Sequence, residues 1–195
     1  IMPTKKTMEF SLKSKSNEIK ELEQKSSYFL KYQGYSDDTI QTQILILREL
    51  INSGKQFKDL RPSEFEMFVQ VHLENNTITL EVKKSICESA YGKLEELDKT
   101  IQWIRGFQDP LEPYMINLAE SSGASPIAGT NGLGLTRVAR ESNAIIDFYV
   151  SEDNVLNLSA VSNLSAEKLM LKTVSLQPAH NARAIIIGEY FIPTK

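Results

Sequence analysis

Three glycines stand close together in residues 129–140, which read GTNGLGLTRVAR. They are Gly129, Gly132 and Gly134, and a helix-forming run follows them at once. Glycine lets backbone N–H groups approach a ligand closely, and the first amides of a helix carry partial positive charge, so the combination suits a phosphate. The Lys-Ser or Lys-Thr pair of a Walker A loop and the third glycine of a dinucleotide fingerprint are both absent. An ordinary glycine-rich turn into a helix is the alternative interpretation.

A second group of candidate residues lies near the end of a predicted helix. Residues 36–39 supply an N-cap and first-turn acids, and the apolar residues that follow recur at helical spacing, at Ile40, Ile44, Leu47 and Ile51. Glu49 and Asn52 are three residues apart and therefore share one face of this helix, with Lys55 one turn further along. The alternative interpretation is that residues 52–54 only end the helix.

The remaining pattern predicts the elements that must position these residues. Alternating apolar residues predict a hairpin around Asn75 and Asn76, and helical spacing predicts two helices between residues 88 and 118. Further strands are predicted at residues 28–32, 145–150, 155–161, 168–176 and 182–192. This order indicates an α+β fold with a mixed, mostly antiparallel sheet and its helices packed on one face.

Composition limits the class of protein. The chain has 195 residues with 41% hydrophobic and 24% charged residues, which is typical of one globular domain. The net charge of −3 gives no electrostatic reason to expect nucleic acid or an anionic membrane as partner. No apolar run approaches a spanning helix and no signal-peptide core follows the first residues, so we expect a cytoplasmic protein. Residues 1–25 are predicted to form an N-terminal arm or partner-binding helix, and residues 26–195 one domain, with 163–195 as extra C-terminal strands.

With these elements in place, the sequence resembles the GHKL (Bergerat-fold) ATP-binding domains of histidine kinases and anti-sigma-factor kinases. It is most similar to small bacterial regulators of the SiaB type and to similar cyanobacterial GHKL regulators. Residues 132–142, GLGLTRVARES, resemble the G2 box of the family and the helix behind it, and residues 32–34, YQG, resemble the start of SiaB-type chains. The similarity extends from about residue 28 to residue 161.

The resemblance implies a site for ATP and Mg²⁺ in a two-layer sandwich. In this family an Asn of the N box holds the Mg²⁺ that bridges the phosphates, and a Glu orients water or acts as a base. The corresponding residues are Asn52 for the metal and Glu49 for catalysis, although the family spacing is usually four and Arg48 stands at that position. Residues 121–131 would form the ATP lid, and the implied cofactor-binding residues are Asn52, Lys55, Gly129, Gly132, Gly134, Leu135 and Thr136.

One expected feature of the family is missing. In the family, an Asp-x-Gly pattern follows the second hairpin strand, and its Asp accepts a hydrogen bond from the adenine amino group. Residues 82–86 of this chain read VKKSI instead. Loss of such an acceptor costs on the order of 1 to 3 kcal/mol. Lys83 and Lys84 are interpreted as residues of a solvated strand end.

Two functions remain open on these grounds. The resemblance implies a signalling regulator that binds Mg-ATP and, if active, phosphorylates a Ser or Thr of a STAS-like partner, as anti-sigma-factor kinases of the SiaB type do. The alternative is a degenerate GHKL scaffold that binds no nucleotide and acts through another signalling protein or as a homodimer. An unrelated α+β domain with a chance glycine motif is a third interpretation.

Overall fold

The computed structural model describes residues 5–13, 16–57, 67–121, 131–164 and 182–183. In these ranges the chain forms an α+β fold with one sheet and a layer of helices. Six strands line up in the order β1-β2-β3-β5-β4-β6, and each neighbouring pair is antiparallel. The strands are β1 (Lys6–Leu12), β2 (Met67–Glu74), β3 (Thr77–Ser85), β4 (Ile145–Ser151), β5 (Val155–Asn163) and β6 (Ala182–Arg183).

Five α-helices accompany the sheet in the described part of the chain. They are α1 (Ser16–Tyr32), α2 (Asp37–Lys55), α3 (Tyr91–Arg105), α4 (Leu111–Ser121) and α5 (Asn131–Ser142), and a 3₁₀ turn (Glu88–Ala90) leads into α3. Within the described ranges, no helix is both long enough and apolar enough to cross a membrane.

Alternation along the central strands decides which face of the sheet carries the helices. Every second residue of β2 and β3 is buried, and the residues between them are only partly buried. Helix α2 lies on the buried face at close range, because a Cβ built on Gly54 would come 3.1 Å from the Met67 sulfur and 3.5 Å from Val82 Cγ1. A larger residue at position 54 would therefore require the Met67 side chain or α2 itself to shift.

Helix α2 follows the sequence pattern closely. The Ser36 side chain accepts a hydrogen bond from the Thr39 backbone N–H at the N terminus, which satisfies one of the free donors there. The predicted stripe of Ile40, Ile44, Leu47 and Ile51 is buried, together with Gln43, Ile46, Leu50 and Gly54. The helix is thus fixed both by its cap and by a broad apolar face.

The structure confirms most of the predicted elements. The hairpin, the helix over residues 37–55, the two helices between residues 88 and 121, and the strands that begin at Ile145 and Val155 are all present. The predicted strand at residues 168–176 lies outside the described residues. Of the predicted strand at 182–192 the structure describes only β6, which pairs with the end of β4.

The N-terminal region differs from the prediction. The predicted strand at residues 28–32 is wrong, because these residues form the last turns of α1. The aromatic residues suggested a strand, but Leu22, Ser26 and Leu30 are buried at helical spacing, whereas Tyr28 and Tyr32 are exposed. Residues 6–12, assigned to an arm, form the edge strand β1 and pair with β2, and the expected boundary at residue 25 falls inside α1.

Candidate functional site

Three parts of the fold meet at one end of the sandwich: the C-terminal half of α2, the first turn of α5 and the end of β3. Gly54 of α2 lies against Val82, and β3 continues from there to Lys84. Lys84 pairs with Leu156, which in turn pairs with Val150 at the end of β4. Because the far end of α5 leads into the start of β4, the first turn of α5 lies at this same end.

The predicted catalytic residue and the predicted phosphate loop are in direct contact. A Cβ built on Gly134 would come 3.2 Å from the Glu49 carboxyl carbon and closer still to its Oε2. Glu49 is partly buried, and its carboxylate makes no hydrogen bond or ion pair within the described part of the chain. The structure therefore places one oxygen-donor side chain at the N-terminal turn of α5, where backbone N–H groups have no intrahelical partner.

The other predicted residues of α2 face solvent. Asn52 and Lys55 are exposed, and neither side chain forms a hydrogen bond or ion pair among the described residues. Both lie in the two turns of α2 that follow Glu49, so they border the same end of the sandwich. The Arg48 side chain points toward α1 instead, where its guanidinium Nε lies 2.9 Å from a Glu23 oxygen. That hydrogen bond, together with the Glu23 charge, raises the pKa of Arg48 above its ordinary value.

The glycines of the predicted loop are arranged differently from the prediction. Gly132 and Gly134 do not precede the helix but belong to its first turn, because α5 already begins at Asn131. Gly129 lies outside the described residues, as does most of the predicted lid at 121–131. These two glycines can therefore contact a ligand only through their backbone atoms in α5.

Leu135 and Thr136, both predicted to bind cofactor, turn their side chains into the protein. Leu135 belongs to the hydrophobic core, and Thr136 is fully buried beside Asn117 of α4, with 3.5 Å between Thr136 Oγ1 and Asn117 Nδ2. Their side chains anchor α5 against its neighbours. A contribution of these two residues to ligand binding would have to come from their backbone amides.

The two lysines at the end of β3 do not both lie in solvent, which corrects the expectation of a solvated strand end. Lys84 is only 3% exposed and shares the helix-facing side of β3 with Val82. Lys83 lies on the opposite face, where its Nζ is 3.3 Å from a Glu81 oxygen. An ammonium group therefore occupies the buried strand end at which the resemblance requires an adenine-binding carboxylate.

Sequence reasoning missed a polar cluster on the other face of the sheet. Glu81 lies at its centre, with His72 Nε2 at 3.8 Å and Lys83 Nζ at 3.3 Å from Glu81 Oε2. Burial alone would raise the pKa of Glu81, but the neighbouring His72 ring and the Lys83 ammonium together outweigh burial and hold this pKa below its ordinary value. Burial and the Glu81 carboxylate raise the pKa of Tyr149. The signal was available, since these residues occupy the polar positions of alternating strands.

This cluster lines an open cleft of about 820 Å³ that also includes Gln70, Thr79 and Asp147. His72 links the cleft to the edge strand, because its Nδ1 is 2.9 Å from the Thr7 hydroxyl of β1. In the described residues no group of three or more His, Cys, Asp or Glu side chains is arranged to hold a metal ion. The cluster is thus an internally paired network.

Comparison with known proteins gave no match to a family model, to a curated protein or to a solved structure. The GHKL resemblance therefore depends on the sequence patterns of residues 32–34 and 132–142.

Proposed function

We propose that this chain is a signalling regulator with a GHKL-like domain, which binds the phosphates of Mg-ATP between the C-terminal half of α2 and the first turn of α5. The contact between Glu49 and Gly134 is the observation that carries the proposal. It joins the N-box and G2-box candidates, which are 85 positions apart in the sequence. The first turn of α5 offers N–H donors and a positive helix end to an anion.

The residues at this end fit the phosphate and metal part of such a ligand. The Asn52 amide oxygen is an oxygen donor of the kind Mg²⁺ prefers, and Lys55 adds a positive charge one turn beyond Asn52. Bound Mg-ATP would supply the phosphoryl group. The role of Glu49 is then to orient the acceptor hydroxyl of a STAS-like partner and accept its proton as the new P–O bond forms and the bond to ADP breaks.

Calorimetric titration with Mg-ATP and Mg-ADP tests this proposal. We expect binding by the unmodified protein, loss of binding in Gly134→Val, which also displaces Glu49, and a roughly tenfold weaker Mg²⁺-dependent affinity in Asn52→Ala. Gln41→Ala is the matched control, because Gln41 is an exposed polar residue of the same helix. Absence of binding at millimolar nucleotide in the unmodified protein would end the proposal.

A second candidate function is a scaffold that binds no nucleotide and acts through protein contacts. Burial of Lys84 favours it, since an ammonium group cannot accept the hydrogen bond that the adenine amino group donates. The same titration separates the two candidates. Binding of Mg-ATP by the unmodified protein would contradict the scaffold, and a further titration with inorganic triphosphate and GTP would show whether a phosphate site remains without base recognition.

A further inference from the structure

Helix α4 buries Pro113 and Asn117 and leaves most of its large apolar side chains exposed. Asn117 is 7% exposed and packs beside Thr136 of α5, whereas Leu111, Met115 and Leu118 are 42%, 52% and 40% exposed. An isolated exposed apolar residue is ordinary on a protein surface. A helix of a monomeric globular domain usually turns its apolar stripe to the core, so this arrangement requires an explanation.

The three exposed residues form one continuous stripe. Their spacing of four and then three residues places Leu111, Met115 and Leu118 within about 60° of one another around the helix, at 100° per residue. We call these three residues the α4 stripe. The same spacing of four and three defines the seam through which one helix packs against another in a coiled coil.

Charges lie on both sides of the α4 stripe and differ in sign. On one side Glu112 is exposed, with the exposed side chain of Ile116 beyond it. On the other side Arg140 of α5 lies over the Tyr114 ring, with its Cζ 4.6 Å from the ring centroid. Flanking charges of this kind set the choice and direction of a partner helix, because opposite charges pair across the seam and like charges repel.

We propose that the α4 stripe is the docking surface for an amphipathic helix of a partner protein. The partner presents an apolar seam at heptad spacing, with basic residues along the flank that meets Glu112 and acidic residues along the flank that meets Arg140. This is recognition of an amphipathic helix through its apolar face. The proposal is independent of nucleotide binding, since neither the stripe nor its flanks includes a residue of the proposed ATP site.

A second copy of the chain fits this surface less well. A helix of 11 residues is about 16 Å long, and its outer face alone falls well short of the roughly 800 Å² per partner of a stable dimer interface. An antiparallel pair of α4 helices related by a two-fold axis would also bring each flank against its own copy, so that the Glu112 flanks face each other and the Arg140 flanks face each other. Both considerations favour a short helix of a different protein.

A designed peptide supplies the probe. It is a fluorescein-labelled helix of three heptads with Leu at the a and d positions, Lys along one flank and Glu along the other. Two matched peptides keep the seam but carry only Lys or only Glu on both flanks. Fluorescence anisotropy measures binding of each peptide to the full chain, to Met115→Glu and to Tyr32→Glu, whose tyrosine is 88% exposed on α1.

We expect the mixed-charge peptide to bind at least several-fold more tightly than either uniformly charged peptide, and Met115→Glu to weaken binding tenfold or more while Tyr32→Glu leaves it unchanged. Equal binding by Met115→Glu, equal binding of the three peptides, or no binding at several hundred micromolar would overturn the proposal. Light scattering that shows a dimer dissociated by Met115→Glu would assign the stripe to self-association instead. A large fall in the melting temperature of Met115→Glu would show that the chain itself covers the stripe, which also overturns the proposal.

Discussion

The carboxylate of Glu49 in α2 lies against the backbone of Gly134 in α5, in the space that a Cβ at position 134 would fill. Glycine is thus required at this position for close approach, not for an unusual backbone conformation, because Gly134 lies within a helix. The carboxylate ends a flexible side chain. A substitution at position 134 should therefore move Glu49 rather than unfold the protein.

Replacing Gly134 tests this contact against a matched glycine. Gly92 also lies in the first turn of a helix, and a Cβ built there meets no atom within 4 Å. We expect Gly92→Ala to raise the free energy of unfolding by about 0.5–1 kcal/mol, since alanine favours a helix more than glycine does. Gly134→Ala should give little or no gain, because the new methyl group displaces the Glu49 carboxylate.

A double-mutant cycle measures the coupling energy between Glu49 and Gly134. In a Glu49→Ala background, Gly134→Ala should stabilise the protein about as much as Gly92→Ala does, which gives a coupling energy of roughly 0.5–1 kcal/mol. Urea unfolding measures all four proteins. Equal gains from Gly134→Ala in both backgrounds would show that the two residues are not in contact in solution.

Local pattern predicted much of the fold, and long-range packing explains what it missed. Alternation predicted the hairpin of β2 and β3, and the cap at Ser36 with its apolar stripe predicted α2. The aromatic residues of 28–32 favoured a strand, but packing of Leu22 and Leu30 into the core selects a helix. Pairing of β1 with β2 joins segments about 60 residues apart and leaves no local signal.

Part of the candidate site was predictable from local helical geometry. Helical geometry alone indicated that Glu49 and Asn52 share one side of α2. Their distance from Gly134 depends on how α2 and α5 pack, which spacing within either helix does not determine. The sequence did not indicate the burial of Lys84, because a lysine at a strand end is usually solvated. Lys84 is buried because α2 packs closely on this face of β3.

The lowered pKa of Glu81 gives stability a specific dependence on pH. A carboxyl group whose pKa is lower in the folded protein stabilises the fold above its ordinary pKa of 4.5, and this contribution disappears as pH falls through the folded value. We expect Glu81→Gln to lower the free energy of unfolding by about 1 kcal/mol at pH 7, because His72 and Lys83 lose a charged partner. The difference should shrink steadily below pH 4.5.

Thermal unfolding of both proteins from pH 7 to pH 3 measures this effect. Glu95→Gln is the control, because Glu95 forms an exposed pair with Lys99 that contributes little. A difference between Glu81→Gln and the unmodified protein that stays constant down to pH 3 would contradict the assignment to the Glu81 charge.

A buried hydrogen bond joins Gln43 of α2 to Ser162 of β5, with 3.1 Å between the amide nitrogen and the hydroxyl oxygen. Both side chains are 2% exposed. Ser162→Ala should lower the free energy of unfolding by about 1–3 kcal/mol, since the Gln43 amide loses this partner without gaining water. Replacing both residues, as Gln43→Met with Ser162→Ala, should recover most of that loss, because no polar group is then left at the contact. Chemical denaturation that finds the double variant less stable than Ser162→Ala would contradict this interpretation.

The turn between β2 and β3 depends on the left-handed conformation of Asn75, whose φ is 53°. Asparagine and glycine tolerate this region, whereas other residues lose about 1–2 kcal/mol there. We expect Asn75→Gly to fold as stably as the unmodified protein and Asn75→Ala to lose about 1 kcal/mol. Asn76 is the matched control, since it occupies the same turn without a positive φ. If Asn76→Ala shifts the urea midpoint as much as Asn75→Ala does, the loss arises from the asparagine side chains and not from backbone strain.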